Sequence, residues 1–189
     1  MNLLQFFQGG ISMGDRDYYL LDDENTVKIR DAYKVYVNRL FTLAGYSAEE
    51  AAEAAKTVID LETEIAKVSV DRATRRDVHK NYNKMTVKEF TSRFDFIDWE
   101  VFFKETGICK SEELNASQVT FFEGLTKLLK NVSLEDQKDY LAFKLLNSAA
   151  NYLSDDFVNA SFDFYGKALQ GKEENQPRWK SSLAVVNRS

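Results

Sequence analysis

The sequence has few of the residues that build disulfides, tight turns and histidine metal sites. Its 189 residues include one cysteine, one proline, one histidine and eight glycines. Because Cys109 is the only cysteine, an internal disulfide is excluded. So few prolines and glycines leave little material for the many turns of an all-β protein. A single histidine, His79, also excludes a zinc site built on two histidines of one chain.

Strong basic charge and long apolar runs are absent as well. The formal net charge is -5, whereas a nucleic-acid-binding surface needs clustered basic residues. No apolar run approaches the roughly 18 residues that cross a membrane. The first eight residues lack the cationic start of a signal peptide. We therefore expect no nucleic-acid partner, no membrane span and no targeting signal in this chain.

What the sequence does contain is apolar material in helical spacing. Apolar residues make up 44% of the chain and aromatic residues 13%, enough for a packed core. Apolar positions recur at three and four residues from Asp23 to Ala44, and again in most later segments. This pattern predicts an all-α fold, an irregular multi-helix bundle of about eight helices.

Local signals mark where several of these helices start and stop. A start is marked by a side chain that can cap the first turn, in most cases with an acidic residue three positions later, and a stop by a glycine after the last periodic residue. The predicted starts are Ser47 with Glu50, Thr86 with Glu89, Asp98, and Ser133 with Asp136; the predicted stops are Gly45, Gly107 and Gly171.

We expect three parts along the chain. Residues 1–22 form an extended segment containing glycines and tyrosines, 23–170 a helical lobe, and 171–189 a linker with a truncated helix that starts near Pro177. The absence of a capping signal before Ser189 leads us to expect that the chain is a piece of a longer protein.

Residues that could carry chemistry are few. Cys109 has no histidine partner nearby, so a nucleophilic role is disfavoured. His79 lies among charges and is interpreted as a surface residue. The frequent acidic pairs are interpreted as solvated helix faces. Three Asn-x-Ser sequons, at Asn115, Asn131 and Asn159, would carry glycans only in a secreted eukaryotic protein.

The most basic cluster spans 71–77 and has two interpretations. Arg75 and Arg76 could bind a peptide carboxylate, which the planar guanidinium does well. The alternative, which we favour, is an internal ion-pair network of these arginines with Asp71, Asp77 and Glu62.

Four stretches resemble signatures of the neprilysin-like zinc endopeptidases. Residues 14–20 (GDRDYYL) resemble the family's "GL-x-DRDYY", and 82–86 are its "YNKMT". Residues 61–66 (LETEIA) look like "LE-x-x-IA", and Trp179 opens a stretch like "W-x-x-C-x-x-x-V" in which no cysteine is present. The signature residues carried over, all as structural elements, are Gly14, Asp15, Arg16, Asp17, Tyr18, Tyr19, Glu62, Tyr82, Asn83, Lys84, Met85 and Trp179.

The resemblance implies a non-catalytic role for this chain. Members of the family have two mostly helical lobes around an internal cavity, with zinc held by a His-Glu-x-x-His helix. That motif would lie beyond Ser189, so no catalytic or metal residue is assigned here and zinc belongs to the full-length parent. This chain would be the lobe that gates short peptide substrates and that faces the missing catalytic lobe.

The single cysteine is typical of bacterial rather than animal members, which implies an exported parent, periplasmic or on the cell surface. A lobe cut from its partner would expose apolar surface, so we expect at least a weak homodimer. Two rival hypotheses are a stand-alone helical module that binds a protein or peptide, and an independent small enzyme that uses acidic residues.

Overall fold

The computed structural model describes residues 3–108, 111–180 and 183. Its secondary structure is mostly helical, which confirms the predicted class. The elements of the first half are β1 (Leu4–Phe6), α1 (Asp17–Leu20), α2 (Glu24–Leu43), α3 (Ala48–Val68), α4 (Arg72–Arg76), β2 (Lys84–Thr86) and α5 (Val87–Arg93). Those of the second half are α6 (Trp99–Thr106), β3 (Glu113–Ala116), α7 (Val119–Leu129), α8 (Leu134–Ala149), a 3-10 turn (Ala150–Tyr152), α9 (Asp155–Ser161) and a π-helical segment (Phe162–Ala168).

The helix starts and stops follow the local signals in the sequence. Gly45, Gly107 and Gly171 all have positive φ after a helical segment; at Gly107 this left-handed residue ends α6. The capping bonds run from Glu50 N to Ser47 Oγ, Glu89 N to Thr86 Oγ1, Val101 N to Asp98 Oδ1 and Asp136 N to Ser133 Oγ. These boundaries are local, because each depends on side chains within one turn of the helix end.

A small three-stranded sheet is an element that the sequence did not predict. The strand order is β1-β3-β2, with β1 parallel and β2 antiparallel to β3. Leu114 in β3 is paired with Leu4 on one side and with Met85 on the other. The strands have three or four residues each, too few for a period of two to stand out from a helical background.

The chain divides into two compact units, each made of two separate stretches. Unit 1 comprises Met1–Thr26 and Ile59–Gln137, and unit 2 comprises Val27–Val58 and Lys138–Ser189. All three boundaries along the chain fall inside helices (α2, α3 and α8) rather than in linkers. The three-part division made from the sequence stays a prediction about the chain's place in a parent protein.

The core of unit 1 is an aromatic cluster built from β1, α5, α6 and α7. Phe90 is fully buried, and its ring lies 4.9 Å from Phe6, 5.0 Å from Trp99 and 5.4 Å from Phe122. Edge-to-face and stacked pairs of this kind add to the stabilisation from burial itself. The cluster attaches the sheet to three helices, so β1 is held by packing as well as by its ladder.

In unit 2 the core is formed by aromatic side chains of α2, α8 and the π-helical segment. Phe143 is fully buried, with its ring 6.1 Å from that of Tyr33. Phe164 stacks on Tyr36 at 5.3 Å and 14°. The Tyr36 hydroxyl donates to Asn147 Oδ1 at 2.7 Å, so the polar end of the ring is satisfied. Burial raises the pKa of Tyr36 far above its usual range, which keeps the phenol neutral.

Candidate functional site: the Gly/Tyr segment and its anchors

Glu62 on α3 is the centre of the contacts made by the Gly/Tyr segment, which we define as residues 8–19. Its side chain is fully buried. The Ser12 hydroxyl donates to Glu62 Oε1 at 2.6 Å, and the Tyr19 hydroxyl donates to Oε2 at 2.5 Å. The backbone N–H of Ser12 also donates to Oε2, at 3.3 Å. One buried carboxylate thus holds both ends of the turn that separates Ser12 from Tyr19.

Tyr19 closes the turn from the other side. Its hydroxyl oxygen accepts hydrogen bonds from the backbone N–H groups of Ser12 (3.0 Å) and Met13 (3.1 Å) while donating to Glu62. Burial, with the neighbouring Glu62 carboxylate as the next cause, raises the pKa of Tyr19 far above its ordinary value. The hydroxyl is therefore a permanent donor, suited to fixing backbone rather than to exchanging protons.

Asp15 forms a second anchor of the same segment. Its buried carboxylate accepts from Asp17 N at 3.1 Å through Oδ1, and from Arg72 Nε at 2.8 Å through Oδ2. Arg72 Nη2 lies 2.7 Å from the same Oδ2. Asp15 therefore both shapes the first turn of α1 and connects it to α4.

Gly14 and Arg16 complete the turn. Gly14 has φ +82, a left-handed conformation that side-chain-bearing residues rarely adopt. Arg16 Nη1 donates to the carbonyl oxygen of Ser69 at the C-terminal end of α3, where helix carbonyls lack intrahelical partners. The glycine is required by backbone shape and the arginine by an orphan carbonyl. Tyr18 is half-buried.

Gln8 connects the beginning of the segment to two other places in unit 1. Its side-chain amide forms a reciprocal pair with the backbone of Val70, donating to O at 3.0 Å and accepting from N at 2.8 Å. Its own backbone N–H donates to Gln118 Oε1 at 2.9 Å. The Gly/Tyr segment is consequently held at both ends and in the middle.

Asn115, in the middle of β3, is the centre of a second polar network. Its Oδ1 accepts from the backbone N–H of Asn83 at 2.6 Å. Its Nδ2 donates to Gln5 Oε1, to the Asn81 carbonyl and to Ser117 Oγ, at 2.8, 2.9 and 3.1 Å. Since Asn115 is 4% exposed and its amide nitrogen is fully used, this sequon cannot carry a glycan in the folded chain.

The remaining residues of the YNKMT stretch lie on or next to β2. Lys84 forms an ion pair with Glu113 of β3 at 2.6 Å, and that hydrogen bond raises the pKa of Lys84. Met85 is half-buried and Thr86 caps α5, whereas Tyr82 is 64% exposed. The stretch therefore combines strand pairing, a helix cap and one aromatic side chain open to solvent.

Arg75 and Arg76 are exposed on α4, and neither forms an ion pair with a described carboxylate. The favoured internal ion-pair network around them is wrong in this respect. The Asp71 carboxylate instead accepts from Thr74 N at 2.8 Å and caps α4. The Asp71 carboxylate therefore bonds to a backbone N–H group rather than to a neighbouring guanidinium group, because the first turn of a helix leaves its N–H groups without backbone partners.

Asp77 is engaged by backbone as well. It accepts from His79 N and Lys80 N, each at 3.1 Å, and these bonds lower the pKa of its carboxyl. Asn81 Nδ2 donates to three carbonyl oxygens of the same turn, those of Thr74, Arg75 and Asp77. The turn that follows α4 and its two arginines is therefore held by several hydrogen bonds, although its surface is exposed.

The described residues do not fit a zinc ion. Within 3–108, 111–180 and 183, no three His, Cys, Asp or Glu side chains come together in a way that could hold a metal. His79 is exposed, and the prediction about Cys109 falls outside the described residues. In the same part of the chain, no helix is long and apolar enough to cross a membrane.

Trp179 belongs to unit 2, whereas the other signature residues belong to unit 1. It is 64% exposed, with Lys180 Nζ over its ring at 5.5 Å. The preceding residue, Arg178, contacts the Asp155 carboxylate and donates to the Leu153 carbonyl at 2.8 Å. Residues 184–189, which include the valines matched to the end of this signature, lie outside the described part.

Comparison with known proteins identifies the class to which this arrangement belongs. The family model described as Peptidase family M13 matches residues 1–189. The chain therefore belongs to peptidase family M13, of which it represents the N-terminal region. The resemblance to neprilysin-like metallopeptidases is thereby confirmed.

Particular relatives are zinc metalloproteases and endothelin-converting enzymes. The zinc metalloprotease Zmp1 of Mycobacterium tuberculosis, in its open state, matches with a TM-score of 0.92 and 28% identity, over 98% of this chain and 29% of that one. An endothelin-converting enzyme homolog of Locusta migratoria is 30% identical over 98% of this chain and 27% of its own length. Human endothelin-converting enzyme 1 is 28% identical over 95% and 24%. The chain thus spans about a quarter of these relatives.

Sequence reasoning found the signature residues but missed the side chains that receive them. Ser12, Asn115 and Gln118 contribute hydrogen bonds to the two networks, and none was singled out as buried. Asn115 carried only a misleading signal, its sequon. Its apolar neighbours in 114–116 are the one local hint that it lies in a buried strand.

Proposed function

We propose that this chain is the helical, non-catalytic part of a zinc metalloendopeptidase that hydrolyses short peptides. The observation that carries the proposal is the match to family M13 over residues 1–189, together with the fit to a zinc metalloprotease over 98% of the chain. Zinc and the residues that act on the scissile bond belong, in this proposal, to the rest of the parent protein. A stand-alone binding module has no observation that favours it.

The direct test compares the chain with its full-length parent. We expect the parent to cleave a short quenched-fluorescence peptide in a zinc-dependent manner and purified residues 1–189 to leave it intact. Cleavage by the isolated chain that is abolished by a chelator and restored by zinc would contradict the assignment.

We also propose that this part walls the substrate cavity and limits the size of substrates. The supporting observation is the build of the Gly/Tyr segment, which Glu62, Asp15 and Gln8 hold to the rest of unit 1 through buried or half-buried bonds. Such a rigid element is suited to steric selection. In a parent carrying Glu62→Gln, the ratio of kcat/KM for long peptides to kcat/KM for short peptides should rise. An unchanged ratio in a variant with measurably weakened unit 1 would contradict the role.

Arg75 and Arg76 are proposed contacts for the carboxylate of a peptide substrate. Both are exposed, without an ion pair to a described carboxylate, at the end of α4, where the Asn81 side chain donates to the Arg75 carbonyl. In the parent, Arg75→Gln with Arg76→Gln should raise KM about tenfold for a peptide with a free C-terminal carboxylate. The amidated peptide should be unaffected. Arg93→Gln, which removes an arginine paired with Glu123, is the matched control; unchanged KM with lost stability would contradict the contact.

The proposed setting is a bacterial parent that is exported to the periplasm or cell surface. The low cysteine content of the chain and its likeness to a mycobacterial protease support this setting. Fractionation of the native cells with an antibody to this chain tests it, and recovery of the parent only with cytoplasmic markers would contradict it.

For the isolated chain we propose weak self-association. Leu141 and Leu145, four residues apart on α8, are 64% and 68% exposed, and such apolar pairs favour association. Light scattering over a concentration series should show a mean mass that rises with concentration. In the double variant Leu141→Lys with Leu145→Lys, the mean mass should stay constant. A monomer at the highest concentration would contradict it.

A further inference from the structure

A cavity of about 500 Å³ lies at the outer end of the unit 1 aromatic cluster. Its walls are the start of β1, the first residue of α5, and the last turn of α6 with the residues that follow it. The volume lies within the range of about 300–1,000 Å³ typical of small-molecule sites, and far above the packing voids of a core. None of the signature residues lines it.

The lining of the cavity is mostly apolar and includes two polar side chains. Leu4, Val87, Phe103 and Ile108 supply the apolar surface. Phe103 is half-buried, and its ring lies 5.9 Å from Trp99 and 5.6 Å from Phe102. The aromatic cluster thus fixes this wall of the cavity from behind, so the apolar surface is preformed.

Lys104 and Ser111 are the polar groups of the lining. Lys104 is exposed and pairs with no acidic side chain of the described residues. The Ser111 hydroxyl donates a hydrogen bond to the Glu113 carbonyl oxygen at 2.5 Å. Toward a ligand, the Ser111 hydroxyl oxygen can therefore act only as an acceptor. Among the described residues of the lining, Lys104 supplies the ammonium group, and an ammonium group beside an apolar cavity selects a ligand with an apolar body and an anionic end.

We propose that this cavity binds a small carboxylate with an apolar tail, its carboxylate on Lys104 and its tail against Phe103, Val87 and Leu4. The site is separate from the Gly/Tyr segment and does not depend on peptidase activity in the parent. A medium-chain fatty acid and the C-terminal end of an apolar peptide share this chemistry, and binding distinguishes them.

The test uses the 189-residue chain with decanoate as the probe. Trp99 lies next to Phe103, so its emission reports on the cavity once the second tryptophan is removed by Trp179→Phe. We expect saturable binding of decanoate, and weaker binding of decanol because it lacks the charge. Lys104→Glu should weaken decanoate binding about five- to tenfold, whereas Lys127→Glu, at an exposed lysine of α7 outside the cavity, should leave it unchanged.

Two further arms keep the result interpretable. Ile108→Phe, which enlarges the side chain at the cavity wall without adding a second tryptophan, should fill the cavity and abolish binding while far-UV circular dichroism shows a folded chain. Acetyl-leucyl-phenylalanine with a free carboxylate, if it binds more tightly than decanoate, supports the site and identifies peptide ends as its ligands. No saturable binding of either probe, equal binding of decanol and decanoate, or an unaffected Lys104→Glu variant would overturn the proposal.

Discussion

In unit 1 buried polar side chains bridge segments far apart in sequence, whereas in unit 2 aromatic rings of neighbouring helices fill the core. Of the buried polar residues in the described part of the chain, Ser161 is the one that lies in unit 2. Unit 1 holds Asp15, Glu62, Asn115 and Gln118 among others. A buried polar group is costly unless its partner is in place, so unit 1 specifies one arrangement more strictly than hydrophobic packing does.

The signature residues of the family are divided unevenly between the two units. Most signature residues lie in unit 1, and several have a polar partner there: Tyr19 donates to Glu62, Asp15 accepts from Arg72, and the backbone N–H of Asn83 donates to Asn115. Trp179, in unit 2, is exposed. Half of the twelve signature residues therefore make a long-range polar contact, for which few substitutes have the right shape.

The largest effect should come from the core of unit 2. Phe143→Ala removes a fully buried ring that contacts Tyr33, Tyr36 and Phe41, and should lower the free energy of unfolding by about 3–5 kcal/mol. Urea unfolding, with hydrogen exchange of α8 to localise the change, measures it. A loss below that of an exposed leucine on the same helix, Leu141→Ala, would contradict the packing account.

Glu62→Ala should follow, with a loss of about 3 kcal/mol, because it leaves the half-buried hydroxyl of Ser12 and the buried hydroxyl of Tyr19 without their acceptor. Glu64→Ala is the matched control on the same helix, since its carboxylate is exposed and pairs only with Lys67 in the described contacts; it should cost less than about 0.5 kcal/mol. Equal losses for both variants would show that burial of the carboxylate is irrelevant.

Removing one hydroxyl from each unit tests the comparison most directly. Tyr19→Phe loses one donated and two accepted hydrogen bonds and should cost about 2 kcal/mol. Tyr36→Phe loses the hydrogen bond that the hydroxyl donates to Asn147 and should cost about 1 kcal/mol. Denaturant midpoints of the two variants decide the order, and the reverse order would break the distinction drawn between the units.

The smallest effect is a pH dependence that the two units share. Hydrogen bonds from Thr86 lower the pKa of Glu89, and those from Ser47 lower the pKa of Glu50. Because both pKa values are lower in the folded chain, each cap stabilises above the unfolded value of about 4.3 and is lost as pH falls through the folded value.

Glu89→Gln and Glu50→Gln should each lower the free energy of unfolding slightly at neutral pH. At a pH well below the folded-state pKa of the replaced carboxyl, neither substitution should change it. Thermal unfolding across the range measures the difference from the parent sequence. A difference that grows toward low pH in either variant would contradict the sign of the shift.

The sequence by itself determined what depends on neighbours within a few residues. The helix starts at Ser47, Thr86 and Asp98 and the stop at Gly107 were readable because caps act within one turn. The all-α class followed from periodicity, and family membership from the order of the signature motifs. Each of these is encoded in residues that lie close together along the chain.

Only the tertiary structure decided which polar residues meet. The pairing of Gln5 with Asn115 joins positions 110 residues apart, and Ser12 reaches Glu62 across 50; no local pattern carries that information. The same limit hid the three-stranded sheet and misassigned the partners of the 71–77 cluster. Hydrogen-bond partners are chosen by proximity in the folded chain, which is set by the packing of the whole unit.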